Sequence, residues 1–168
     1  MVPYVLKNMN LLVDGFGYAG KVTVLTPPKL SRKVEEFRAG GMDGSVELDM
    51  GLEKLEATFT LAEFDKGVLA LWNLRDLDSV LLRFRGAIER DDTGDVRAVE
   101  VTLRGRWKEL DHGDWKPGEK AELKVTVACT FYSYSEDGVP LIVEDVVNMI
   151  SLANGVDRLG DLRAALGV

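Results

Sequence analysis

A stretch of alternation broken by glycine, FRAGGMDGSVELDMGLEKLEATF from Phe37 to Phe59, constrains the chain more than any other part of it. Gly40, Gly41 and then Asp43-Gly44 stand between segments that alternate polar and apolar, so the backbone can reverse there in conformations that Gly, Asn and Asp adopt at low cost. After this turn Val46, Leu48 and Met50 fall on one face and Ser45, Glu47 and Asp49 on the other, the period of a half-buried strand. The alternation resumes beyond Gly51, with Leu55, Ala57, Phe59 and Leu61 opposed to Lys54, Glu56, Thr58 and Thr60. From Lys33 to Thr60 there are seven acids and three bases, a net of −4 within a chain total of −7. The polar side of this ribbon is acidic, and it must look at water, at a basic partner or at a channel.

A chain of 168 residues is read as one domain, 1–168, long enough to bury a core without disulfides. Its one cysteine, Cys129, lies on the alternating run Leu123, Val125, Val127, Cys129, Phe131 and reads as a buried thiol. The start MVPYVLKNMN has no sustained apolar core of a signal peptide, and no apolar run has transmembrane length, so a soluble protein of the reducing cytosol is expected. The negative balance argues against a nucleic-acid binder, whose footprint is a basic stripe, though not against a conduit that nucleic acid crosses without sticking.

The pattern predicts a mainly β (α+β) chain of around eight strands. Residues 10 to 25 predict two short strands about an Asp14-Gly15 corner, Pro27-Pro28 marks an edge or a connection, and a run from Ser31 to Ala39 leads into the hairpin. A helix is predicted over Leu61 to Leu74, capped by Thr60 with Glu63 completing a capping box, and lined by Phe64, Val68, Leu71 and Trp72 as its core stripe. Gly67 inside it costs about 1 kcal/mol against Ala unless the helix approaches a neighbour there. Three long strands follow, on Leu82 to Glu89, on Val99 to Trp107 and on Ala121 to Tyr132. Asp137-Gly138 signals a hairpin, Pro140 opens a last run to Ile150, and a short helix runs from Asp157, its cap, to Leu166, with Gly167 as the stop. An antiparallel β-barrel, or two packed sheets with one flanking helix and a short C-terminal helix, accommodates these elements.

The chemistry is sparse. One histidine, His112, in a turn-rich segment and one cysteine exclude most nucleophilic and metal sites, so neither a catalytic residue nor a metal or cofactor site is assigned. A cross-strand pair such as Glu47 with Glu56 has the makings of acid/base or cation chemistry, but carboxylates on the wet face of a sheet are ordinarily just solvated. GFGYAG at Gly15 to Gly20 lacks the lysine of a phosphate loop and no helical pattern follows it, so it is a turn. Tyr132 and Tyr134 lack interleaved basic residues and suit an interface. Trp107, just before the KELDHGDWKPGEK loop, and Trp115, within it, read as contact anchors or as folded over a barrel end.

Four segments, NMNLLVDGFGYAG, RAGGMDGSVELDMGLE, LRGRWKELDHGDWKPGEKAE and LANGVDRLGDLRAALG, together resemble the major tail tube proteins of contractile-tailed phages and the tubes of R-type pyocins. The resemblance spans nearly the whole chain and is weakest over residues 75 to 100. It implies a non-enzymatic building block of the virion tail, assembled in the bacterial host cytoplasm, whose copies close into hexameric rings and stack into a hollow tube within the tail sheath. Baseplate and tail terminator proteins are the further implied partners. It places strands around a channel and the helix outside, with no membrane contact. On that expectation Glu47, Asp49 and Glu56 face the lumen, whose acidic wall lets DNA pass without binding, and the turn Gly40, Gly41, Met42, Asp43, Gly44 reaches the neighbouring ring. The tube of a pyocin-like particle or injection device is an alternative within the same class; a monomeric ligand-binding barrel is one outside it.

Overall fold

The computed structural model describes Met1–Val168. β1 (Tyr4–Val13) turns through Asp14 and Gly15, both at positive φ, into the two-residue β2 (Phe16–Gly17), so the predicted corner is where the sequence put it. β3 (Val22–Thr26) ends before Pro27-Pro28 and pairs on one side only, with β6. β4 (Arg32–Phe37) and β5 (Val46–Leu52) form a hairpin that is a two-stranded sheet of its own. β5 carries a bulge at Gly51, φ 112°, a conformation that a side chain would strain.

β6 (Leu55–Leu61) leads into the short helix α1 (Lys66–Ala70) and a 3-10 turn, Leu71–Asn73. Three long antiparallel strands follow, β7 (Val80–Arg90), β8 (Val96–Asp111) and β9 (Leu123–Glu136). β10 (Val139–Asp145), β11 (Ile150–Ala153) and β12 (Val156–Asp157) then lead to α2 (Gly160–Leu166).

The main sheet runs β12-β11-β10-β9-β8-β7-β1-β2, with β3 and β6 joined on a branch. β9 makes this branching possible. Its first half, Leu123 to Cys129, pairs with β6, its second half, Phe131 to Glu136, pairs with β10, and β8 runs along its other edge. Side chains of one face converge: Leu11, Leu61, Leu82, Leu103, Leu123 and Phe59 are among the fully buried core residues, and Val68 of α1 joins them. Phe59 sets Phe84 and Trp107 edge-on at 6.0 and 5.6 Å, a geometry aromatic quadrupoles favour.

Several expectations are corrected. No barrel closes, because β3 and the β1–β2 edge remain unpaired with each other. Twelve strands replace the predicted eight or so, chiefly because the run from Pro140 to Ile150 breaks after Asp145 and the chain doubles back. The helix predicted from Leu61 starts at Lys66. Leu61 is instead the last residue of β6, paired with Val22 and Leu123, and the cap is Asp65, whose Oδ1 accepts the Val68 N–H at 3.1 Å, rather than Thr60. The period-2 run Leu55, Ala57, Phe59, Leu61 continues one residue further than the helical pattern allows. Asp157 caps no helix: α2 starts after Leu159, and the Asp157 carboxylate accepts the Leu159 N–H and pairs with Arg163. Gly167, φ 74°, does end α2. Gly67 fits the predicted close approach, since a Cβ there would stand 3.2 Å from the Tyr18 hydroxyl.

Candidate assembly surface

The hairpin β4–β5 is the part of the fold that a lone subunit leaves incomplete. Directly paired residues share a face, so the register places Phe37 with Val46 and Glu35 with Leu48 on one side, and Glu36 with Glu47 and Val34 with Asp49 on the other. The apolar side was expected to be half-buried. Instead Phe37, Val46, Leu48 and Met50 are 46–52% exposed, because no other layer of the chain packs over it. The strand periodicity is real, but the surface that would cover it is absent from the subunit. Both outer edges of this two-stranded sheet also lack partners, as do the outer edge of β3 and most of that of β1.

The three acids expected on a channel wall stand in different surroundings. Glu47 is exposed, lies opposite Glu36, and neither takes part in an ion pair; like charges directly opposed destabilise a ladder. Asp49 is held by Arg32, with Nε at 2.9 Å, and by Arg158, with Nη2 at 3.1 Å, while its other oxygen accepts the Gly51 N–H. The Arg32 hydrogen bond above all holds its carboxyl below the usual carboxylate value. Arg158 thereby ties the root of the hairpin to the C-terminal segment. Glu56 lies on β6, away from the hairpin, and accepts Lys108 Nζ at 2.8 Å, the main reason its pKa is lowered. The turn Gly40, Gly41, Met42, Asp43, Gly44 is the exposed tip, with Met42 folded back so that its sulfur accepts the Ala39 N–H.

The helix stripe divides. Val68 is fully buried, Phe64 and Leu71 pack against the core from partly buried positions, and Trp72 is 52% exposed. Trp72 follows α1 in the 3-10 turn, where the helical spacing that predicted its burial no longer applies. It borders a groove of about 650 Å³ with Leu74, Arg75, Arg106, Lys108 and Ala128, a feature sequence reasoning missed. No local signal marked it, since Leu71 and Trp72 keep the helical spacing from Phe64. Trp107 is buried and Trp115 is exposed, stacked on Phe64 at 5.4 Å. Tyr132 is buried and the Tyr134 hydroxyl donates to Glu136. Cys129, read from the sequence as buried, is half-buried, and the burial it has pushes its thiol up to about 12, which leaves it without thiolate at neutral pH. No three His, Cys, Asp or Glu side chains gather as a metal site.

The whole chain matches known relatives. Residues 3–167 fit the family model described as phage tail tube protein FII. The tail tube protein of Escherichia phage P2 is 42% identical over 99% of both chains, and the major tail tube protein of Serratia phage KSP20 is 32% identical over 99% of this chain and 98% of that one. The chain therefore belongs to the phage tail tube protein family, non-enzymatic structural components of the virion tail. Its fold is that of a sheath/tube terminator structure from an extracellular contractile injection system, with a TM-score of 0.61 at 9% identity, covering 80% of this chain and 98% of that one. The cap structure of the anti-feeding prophage gives 0.61 at 11% identity, over 80% and 92%. No helix of the chain is long and apolar enough to cross a membrane.

Proposed function

We propose that each chain acts as one domain, that six copies close into a ring, and that rings stack into a hollow tube which DNA crosses without specific binding. One observation carries this reading: in a member of a tail tube family, the hairpin β4–β5 exposes both an apolar face and two unpaired edges. A long uncovered edge invites pairing with another chain, and ring closure satisfies it on copies of the same surface. The side of the hairpin carrying Glu36, Glu47 and Asp49 then faces the bore, while Phe37, Val46, Leu48 and Met50 are covered by the adjacent copy. An acidic wall repels phosphates, so DNA slides rather than adheres. The turn Gly40 to Gly44 reaches the neighbouring ring. Tail sheath, baseplate and tail terminator proteins complete the assembly.

A second reading, the tube of an injection device or pyocin-like particle, draws on the fold shared with the contractile injection system structures. The test common to both is negative-stain microscopy of the purified protein at high concentration. Hollow tubes of regular diameter are expected; a monomer at every concentration on size exclusion overturns the reading.

A further inference from the structure

We propose that the groove between the Trp72 turn and the outer face of β8 is the socket for the hairpin tip of a second copy, an inference that rests on the tube reading above. The groove combines an apolar rim with uncompensated positive charge. Trp72 and Leu74 are 52% and 41% exposed on it. Arg75 and Arg106 have no carboxylate partner; Arg106 donates instead to the Arg75 carbonyl at 2.8 Å, which fixes the turn over the sheet. Lys108, beside them, is already paired with Glu56.

The hairpin tip carries the complementary features. Asp43 stands exposed and unpaired near the apex, and directly behind the loop comes the last ladder pair, Phe37 with Val46, both nearly half exposed. Docked, Asp43 meets Arg75 and Arg106 while the Phe37–Val46 pair covers Trp72 and Leu74. Taking an arginine-rich apolar groove out of water favours an aromatic and an acid together, since the charge pair strengthens as water leaves.

The occupant belongs to another copy: the subunit's own hairpin is tied at its root, through Asp49, to Arg158 just past β12, four strands along the sheet from the β8 that carries the groove, and its Asp43 stands exposed. The six residues of β4 carry the tip about 20 Å from that root. A tip on one copy and a socket on the next form a head-to-tail contact, which propagates where a face-to-face contact would stop. The exposure of Trp72 then has a use that packing within the subunit does not supply.

The test is charge reversal on the intact chain, read as the protein concentration at which tubes form. Asp43→Lys and Arg75→Asp are each expected to raise that concentration about tenfold or more, as loss of a close interfacial charge pair does, and the two together in one chain to restore assembly. A chain with Asp43→Cys and Leu74→Cys, oxidised after assembly, should yield covalent multimers on a denaturing gel, and such multimers uphold the contact even where the double reversal does not rescue. Reversals that assemble like the parent, or a failed rescue with no multimers, overturn it. Tubes lost only on addition of an acidic peptide, with the reversals silent, assign the groove to a different partner and also overturn it. A parent chain that forms no tubes at all overturns the tube reading instead.

Discussion

The indole Nε1 of Trp107 donates to the carbonyl oxygen of Val68 at 2.8 Å, with both residues buried. This one bond joins β8 to a helix of five residues, too short to hold itself in water. The Val68 carbonyl also receives the Leu71 N–H, so it keeps a partner if the indole is removed. Trp107→Phe should therefore lower stability by about 1 kcal/mol from the lost hydrogen bond, plus a packing loss, rather than by the full penalty of an orphaned acceptor. Urea unfolding measures it, and far-UV circular dichroism should keep its strand signature.

Gly105 of β8 lies directly against the β9 backbone. A Cβ there would collide with the Ala128 carbonyl, which is backbone and cannot turn aside. Gly105→Ala should cost about 3 kcal/mol, the upper part of the overpacking range, visible as a fall in the urea midpoint. A variant as stable as the parent would mean that the two strands are not in this register.

Asp49 links hairpin stability to pH. Its pKa in the folded chain lies below the ordinary 3.8, chiefly through Arg32 and then the Gly51 N–H. A depressed acid contributes stability that is present above its unfolded pKa and lost as pH falls through the folded one. The Asp49 carboxyl should thus titrate below 3.8 in a carbon NMR experiment, with hairpin resonances broadening over the same acid range. Asp49→Asn should remove that acid transition.

Cys129 should be inert in the folded subunit. With its thiol raised to about 12 by burial, a disulfide reagent at pH 8 should label none of the native protein and one thiol per chain once urea unfolds it. Rapid labelling of the native chain would show an open, ionised sulfur instead.

Removal of residues 40 to 44 should leave a folded subunit that does not polymerise. The turn lies outside the core and outside every ladder of the main sheet, so its loss disturbs neither. Tubes of unchanged appearance in electron micrographs would count against any role for the tip between rings.

The sequence showed those features whose cause is local. The alternations that became β7, β8 and β9, and the turns at Asp14-Gly15 and Asp137-Gly138, are set by residues a few positions apart. The helix start was misplaced because Leu61 satisfies two periodicities at once, and the sheet claimed it through Val22 and Leu123. Trp72 was assigned to the core because helical spacing was extended through a 3-10 turn. The Asp49–Arg158 pair spans 109 positions and has no sequence signal. For Val46, Leu48 and Met50 the alternation announced an apolar surface correctly, but nothing within one chain reveals that its cover must come from elsewhere.

The shared strand β9 has a mechanical consequence. Since β6 grips one half of it and β10 the other, while β8 spans both, a pull applied at the hairpin side is handed to the C-terminal side through a single continuous backbone. Such a piece cannot be unzipped one flap at a time from its middle; it yields as a plank does, by snapping across the grain.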